Sequence, residues 1–315
     1  MSRRHGASAA VLAVGLGFLI AAQSRANGEL AHHVGSGLFP AWLTMTVGTA
    51  LLVVIVLVHR TSRRGLVTVV GQARTGALPW WLFTGGVFGS VFLTTQSVTV
   101  PLVGVAVFTV GIVAGQTSGS LLVDRFGLTG TGRRAITGNR IAAALLAIAA
   151  VGVAVSPRLH LQAGVALIAL LPIVAGFFFA PQQAFNGRVG RAAGSPFVGA
   201  LGNFVGGAVL MGLILGVALA AGLQLQDPWG APWWAYTGSV LGLLAIAGAA
   251  WIVPILGVLL YSLLSLFGQL AGAFLLDVVA PTPGTDLGWQ MATGLAMTAL
   301  AVLVAAAPRR SQLRP

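Results

Sequence analysis

The stretch PWWLFTGGVFGSVFLTTQSVTVPLVGVAVFTVGIVAGQTSGSLLVD (residues 79–124) recurs without gaps as PWWAYTGSVLGLLAIAGAAWIVPILGVLLYSLLSLFGQLAGAFLLD (residues 232–277), at a constant offset of 153. Pro79-Trp80-Trp81 matches Pro232-Trp233-Trp234, Thr84-Gly85 matches Thr237-Gly238, and Gly89 matches Gly242. Further along, Pro101 matches Pro254, Gly104-Val105 matches Gly257-Val258, Gly115-Gln116 matches Gly268-Gln269, and Asp124 matches Asp277. Shared apolar composition does not place tryptophan pairs, a glutamine and an aspartate in register, so the chain carries an internal repeat. An upstream block extends it at offset 159: Gln23, Asn27, Gly28, Gly35, Ser36 and Ala41 correspond to Gln182, Asn186, Gly187, Gly194, Ser195 and Ala200.

The repeat is embedded in a membrane-type sequence. Of 315 residues 57% are hydrophobic and only 7% charged, with a mean hydropathy of +0.94. A soluble domain carries about 25% charged residues, so that class is excluded. A spanning helix needs about 20 mainly apolar residues. Such stretches run over 8–26, 37–58, 78–97, 100–122, 140–156, 161–182, 196–222, 232–250, 252–276 and 288–307. As one helix, residues 232–276 would reach about 67 Å, more than twice the hydrocarbon core. The chain must turn back, at Pro254 and, by the same reasoning, at Pro101. Arg3-Arg4-His5 before an apolar stretch has the form of a signal peptide, but the repeat needs that stretch as a mature span.

Ten spans divide into five per half, residues 1–158 and 159–315. Five is odd, so the second half enters the bilayer from the opposite side. All 17 basic residues are arginine. With the N-terminus in the cytoplasm, 15 of them fall in inside segments and only Arg25 and Arg158 outside, which satisfies the positive-inside rule. The expected fold is an all-α membrane protein of ten transmembrane helices in two inverted five-helix repeats, both termini cytoplasmic, in the cell inner membrane.

Ala180-Pro181-Gln182-Gln183-Ala184-Phe185-Asn186-Gly187, Gly194-Ser195-Pro196, Asn203-Phe204-Val205-Gly206-Gly207, Gly268-Gln269 and Asp277, with their first-half counterparts including Asp124-Arg125-Phe126-Gly127, resemble the YdcZ-type family of the drug/metabolite transporter superfamily. Relatives of that type are often single five-span units, so the chain resembles a fusion of two. The resemblance implies a transporter and names no ligand. The halves differ: Ala22 stands where the second half has Pro181, and any site is expected to be asymmetric.

Candidate solute-binding residues are the polar ones at membrane depth. Gln23/Asn27 and Gln182/Asn186 are spaced i, i+4 and share a helix face; amides in a bilayer must find partners, either across a helix interface or in a polar cavity. Gln116 and Gln269 stand between glycines suited to close helix packing, and Asn203 is an uncharged polar residue at membrane depth. Trp81 and Trp234, with Trp80 and Trp233, open spans after proline, where anchoring at the interface competes with capture of an organic cation over a ring. Thr44, Thr94, Thr95 and Gln96 are polar but explicable without a ligand. Asp124 and Asp277 read as solvated caps or ion-pair partners at span ends.

Absences narrow the function. The chain has no cysteine and no lysine, which removes thiolate metal sites and any Gly-x4-Gly-Lys phosphate loop. No acid lies at the centre of a span, so a proton relay through a buried glutamate is not expected. Clustered catalytic side chains are lacking, so an enzyme is not expected, and neither is a cofactor, a metal or a nucleic-acid partner. The expected partners are the lipid bilayer and a small-molecule substrate. A secondary transporter working by alternating access between the repeats fits best; the alternative is a scaffold, accessory protein or passive channel on the same fold.

Overall fold

The computed structural model describes residues 3–128, 138–156, 167–168, 170–256, 258–281 and 288–306. Among them all regular structure is helical: α1 (Arg3–Val34), α2 (Leu38–Val58), α3 (Arg60–Arg74), α4 (Gly85–Phe126), α5 (Gly138–Val155), α6 (Leu171–Ala193), α7 (Pro196–Ala220), α8 (Gly238–Leu256), α9 (Val258–Val279) and α10 (Trp289–Ala306). Short 3-10 turns, Trp80–Thr84 and Trp233–Thr237, precede α4 and α8. Among the described residues four segments are long and apolar enough to cross a membrane: Ser8–Val34, Leu38–Val58, Trp80–Val105 and Pro196–Ala220. Shorter apolar helices cover Val107–Val123, Ile141–Ala150 and Leu264–Val279. On α7, Val209, Leu213 and Val217 form an i, i+4, i+8 stripe that is 60–70% exposed, the outward apolar face expected against lipid.

Local chemistry sets the helix ends. Gly35 and Gly194, equivalent at offset 159, both take left-handed φ, 74° and 62°. Gly194 closes α6 with Ser195 N donating back to Gly190 O at 2.9 Å, the pattern that satisfies orphan carbonyls at a helix end. Pro196 then opens α7 at a position where its missing N–H costs nothing.

The expected turn within residues 79–124 falls at Gly104, three residues beyond Pro101, with φ 80° and ψ 161°, a region open to essentially glycine alone. Packing shows that the chain reverses there. Gly89 and Gly85 face Gln182 and Asn186 of α6, so the first arm of α4 runs antiparallel to α6. Gly111, Gly115 and Gly119 face Pro172, Ile173 and Phe177, so the second arm runs parallel to it. The same scheme holds for α1. Gln23 and Asn27 lie against Gly242 and Gly238 of α8, while Val14 and Phe18 lie against Gly268 and Gly272 of α9. Each half's first helix is thus clasped by the third and fourth apolar segments of the other half, residue for equivalent residue.

At these crossings glycine is required by proximity. A Cβ on Gly115 would overlap the Ile173 carbonyl, one on Gly268 the Val14 carbonyl, and one on Gly86 would lie 2.5 Å from Gly207 N. Equivalent helices α2 and α7 cross antiparallel, with Trp42 beside Gly212, Met45 beside Gly207 and Phe204 beside Gly48. Helices α5 and α10 also pack together.

The arginine-rich connection after α2 forms helix α3, docked through buried Ser62, Gly65 and Val69. One expectation is corrected. Asp277, expected at a span end as a solvated cap or ion-pair partner, is not solvated but fully buried. Its Oδ1 accepts the N–H of Val105 at 3.4 Å, just past the Gly104 reversal, where the second arm of α4 begins with unpaired N–H groups. The side chain of Asp124 lies outside the described residues, as do Asp286, Arg133 and Arg158.

Candidate functional site

The polar side chains at membrane depth form two unequal clusters. In the first half Asn27 Nδ2 donates to Gln96 Oε1 at 2.7 Å, Gln96 Nε2 donates to Ser24 Oγ at 2.7 Å, and Thr44 Oγ1 donates to Asn27 Oδ1 at 3.0 Å. Ser24 Oγ passes its own hydrogen to Ile20 O at 3.1 Å. All four residues are at most 3% exposed. The chain of bonds is closed, as a buried amide in an apolar surround requires. Gln23, one turn before Asn27, is half-buried against Gly242.

The second-half cluster is open. Gln182 Nε2 donates to Asn203 Oδ1 at 3.0 Å, and both residues are buried. Gln182 Oε1, however, is buried with no partner among the described residues. Asn186 is half-buried, and among the described residues its amide has no hydrogen-bond partner. Glycines give this cluster its room: positions for a Cβ on Gly85 and Gly89 lie 3.0 Å from Asn186 Oδ1 and 2.9 Å from Gln182 Nε2. Alignment explains the asymmetry. Thr44 and Asn203 are equivalent at offset 159, but Gln96, which satisfies Asn27, has Ala249 as its counterpart at offset 153.

The tryptophan pairs divide. Trp80 and Trp233 are 77% and 80% exposed, consistent with anchoring at a membrane interface. Trp81 and Trp234 turn inward. Trp81 packs edge-on to Phe185 at 5.1 Å, and the Arg188 guanidinium sits 5.3 Å over its ring; an intramolecular cation already occupies that face. Trp234 packs in a separate apolar cluster around Leu30, Val34 and Phe39.

The site residues expected from sequence are therefore not one constellation. Gln182, Asn186 and Asn203 come together, with Trp81 nearby through Phe185. Asn27 belongs to the closed network and Gln23 to its edge. Gln116 and Gln269 lie in the tight α4–α6 and α1–α9 crossings, their backbone N–H groups beside Gly176 and Gly17. Ser24 and the structural role of Gln96 were missed. The signal available was Ser24 at i−3 from Asn27, on a helix already known to present amides. Among the described residues no group of three or more His, Cys, Asp or Glu could hold a metal ion.

A family model described as "Putative inner membrane exporter, YdcZ" matches residues 8–153 and again residues 167–304, one match in each half. The chain belongs to the YdcZ family. It is a two-repeat member, and its apolar helices fit the family's inner-membrane setting. No curated protein matches it.

Proposed function

We propose that this YdcZ-family protein is a secondary exporter of a small organic solute, working by alternating access between two inverted five-span halves, residues 1–158 and 159–315, with both termini cytoplasmic. The reciprocal clasp of α1 by α8 and α9, and of α6 by the two arms of α4, supports a two-fold relation between halves. The antiparallel crossing of equivalent helices α2 and α7 supports an axis in the membrane plane, as inverted repeats require. The solute is received at Gln182, Asn186 and Asn203. One observation carries this assignment: Gln182 Oε1 is an orphaned buried acceptor, of a kind that costs about 1–3 kcal/mol unless something satisfies it. A solute bearing a hydroxyl or amine donor would do so, and the unbonded Asn186 amide offers it a second contact.

The test is flux in proteoliposomes, using the solute that most raises the melting temperature of the purified protein, since a ligand stabilises the state it binds. Export should saturate, and should be lost in Gln182→Leu and Asn186→Leu at unchanged reconstitution. Unsaturable flux that survives both substitutions would favour a passive channel.

A further inference from the structure

An apolar groove of about 640 Å³ opens between α3, the turn before α4 and the start of α7, lined by Leu66, Val69, Val70, Phe83, Leu201 and Gly202, with Arg74 at its rim. Its volume falls within the range of ligand sites, roughly 300–1,000 Å³. Helix α3 is built unlike the spans. Its inner face is small: Gly65 abuts the Ala193 carbonyl, and Ser62 Oγ bonds Ser195 Oγ at 2.7 Å, tying α3 to the α6–α7 junction. The remaining surface is mixed, with Val67 and Val70 70% and 41% exposed among exposed arginines. At 100° per residue Arg60, Arg63 and Arg74 share the helix edge adjoining Leu66 and Val70, which face the groove. Among the described residues, none of these guanidiniums has a hydrogen-bond or ion-pair partner, and no acid occurs between Glu29 and Asp124.

From this juxtaposition we infer that the groove beneath α3 binds an anionic phospholipid, one acyl chain along Val69, Phe83 and Leu201 and the phosphate on Arg74. An apolar slot with an unneutralised cationic rim fits an amphiphile whose charge is negative and whose tail is hydrocarbon. Amphipathic helices with arginine on the polar side rest in the headgroup layer, and basic pockets beside spanning helices take anionic headgroups. A zwitterionic lipid would bring its own cation to the same rim.

The experiment is native mass spectrometry of the full chain, released from neutral detergent after titration with dioleoylphosphatidylglycerol or dioleoylphosphatidylcholine. The wild type should retain one phosphatidylglycerol in strong preference to phosphatidylcholine. Arg74→Gln should weaken that retention about fivefold, the change expected from one guanidinium near a membrane surface. Gly202→Leu should abolish it by filling the slot. A Cβ on Gly202 meets only Phe83, at 3.5 Å, so this variant is expected to fold, as its elution and melting will report. Equal retention of the two lipids, or a phosphatidylglycerol preference untouched by both substitutions, would overturn the inference. Displacement by glycerol 3-phosphate alone would also overturn it, in favour of a soluble anion, and so would a second copy of the chain seated on α3.

Discussion

The two amide clusters should respond to mutation in opposite ways. Asn27→Leu removes the donor to Gln96 Oε1 and the acceptor for Thr44 Oγ1, leaving two polar atoms buried without partners. Orphaned groups cost about 1–3 kcal/mol each, hydrogen bonds between membrane helices are worth about 0.6–2 kcal/mol, and the new apolar side chain returns part of the loss. A net destabilisation of about 2–3 kcal/mol follows. Gln182→Leu breaks one bond, to Asn203, and deletes an acceptor that had no partner, so its stability change should lie within about 1 kcal/mol of zero. The assay is reversible unfolding in mixed micelles followed by tryptophan fluorescence, run beside flux per folded molecule. Gln96→Leu completes a double-mutant cycle with Asn27→Leu, with an expected coupling of about 1–2 kcal/mol. Equal destabilisation by Asn27→Leu and Gln182→Leu, with flux retained in the second, would refute the division into a structural and a binding cluster.

Three further outcomes are expected. Asp277→Leu orphans the Val105 N–H and should cost at least about 1–3 kcal/mol by the same unfolding titration, whereas Asp277→Asn, which keeps an acceptor for that N–H, should cost less. Gly115→Ala drives a methyl into the Ile173 carbonyl and should reduce the folded yield sharply, while Gly71→Ala, with open space around it, should be neutral or slightly stabilising in the same expression and melting measurements. Cysteines at the exposed positions Thr75 and Asp227 should label from opposite sides of the membrane with an impermeant maleimide; labelling from one side would defeat the topology.

Much of the architecture was legible because it is written in residues that tolerate no substitute. The paired glycines at 115/119 and 268/272 mark where helices approach closely, those at 85/89 and 238/242 make room for the amide side chains of the other half, and their constant offset exposes the repeat. Pro101 announced a reversal that Gly104 executes, since proline disrupts a helix whereas only glycine adopts the required φ and ψ. Helix α3 does not stand out as an apolar stretch because its arginines lower the mean hydropathy, although its amphipathic periodicity is strong. The closed network was hidden for a different reason. Asn27 and Gln96 are 69 residues apart, and nothing local to Gln96 says which amide it meets. Asp277 reads as a terminal cap because helix ends normally face water; its burial depends on a turn from the other half arriving above it.

The mutual clasp of first helices has a consequence for biogenesis. While the ribosome is still translating the first half, α1 presents the notch at Gly17 and the flank of Phe18 with nothing to fill them, because their counterparts at Ser265, Gln269 and Gly272 have not been made. The nascent N-terminal half must therefore idle in the bilayer as an unfinished bundle until most of the chain has emerged. Co-expressed as separate polypeptides, the two pieces should find each other, and either one alone should be a substrate for membrane quality-control proteases.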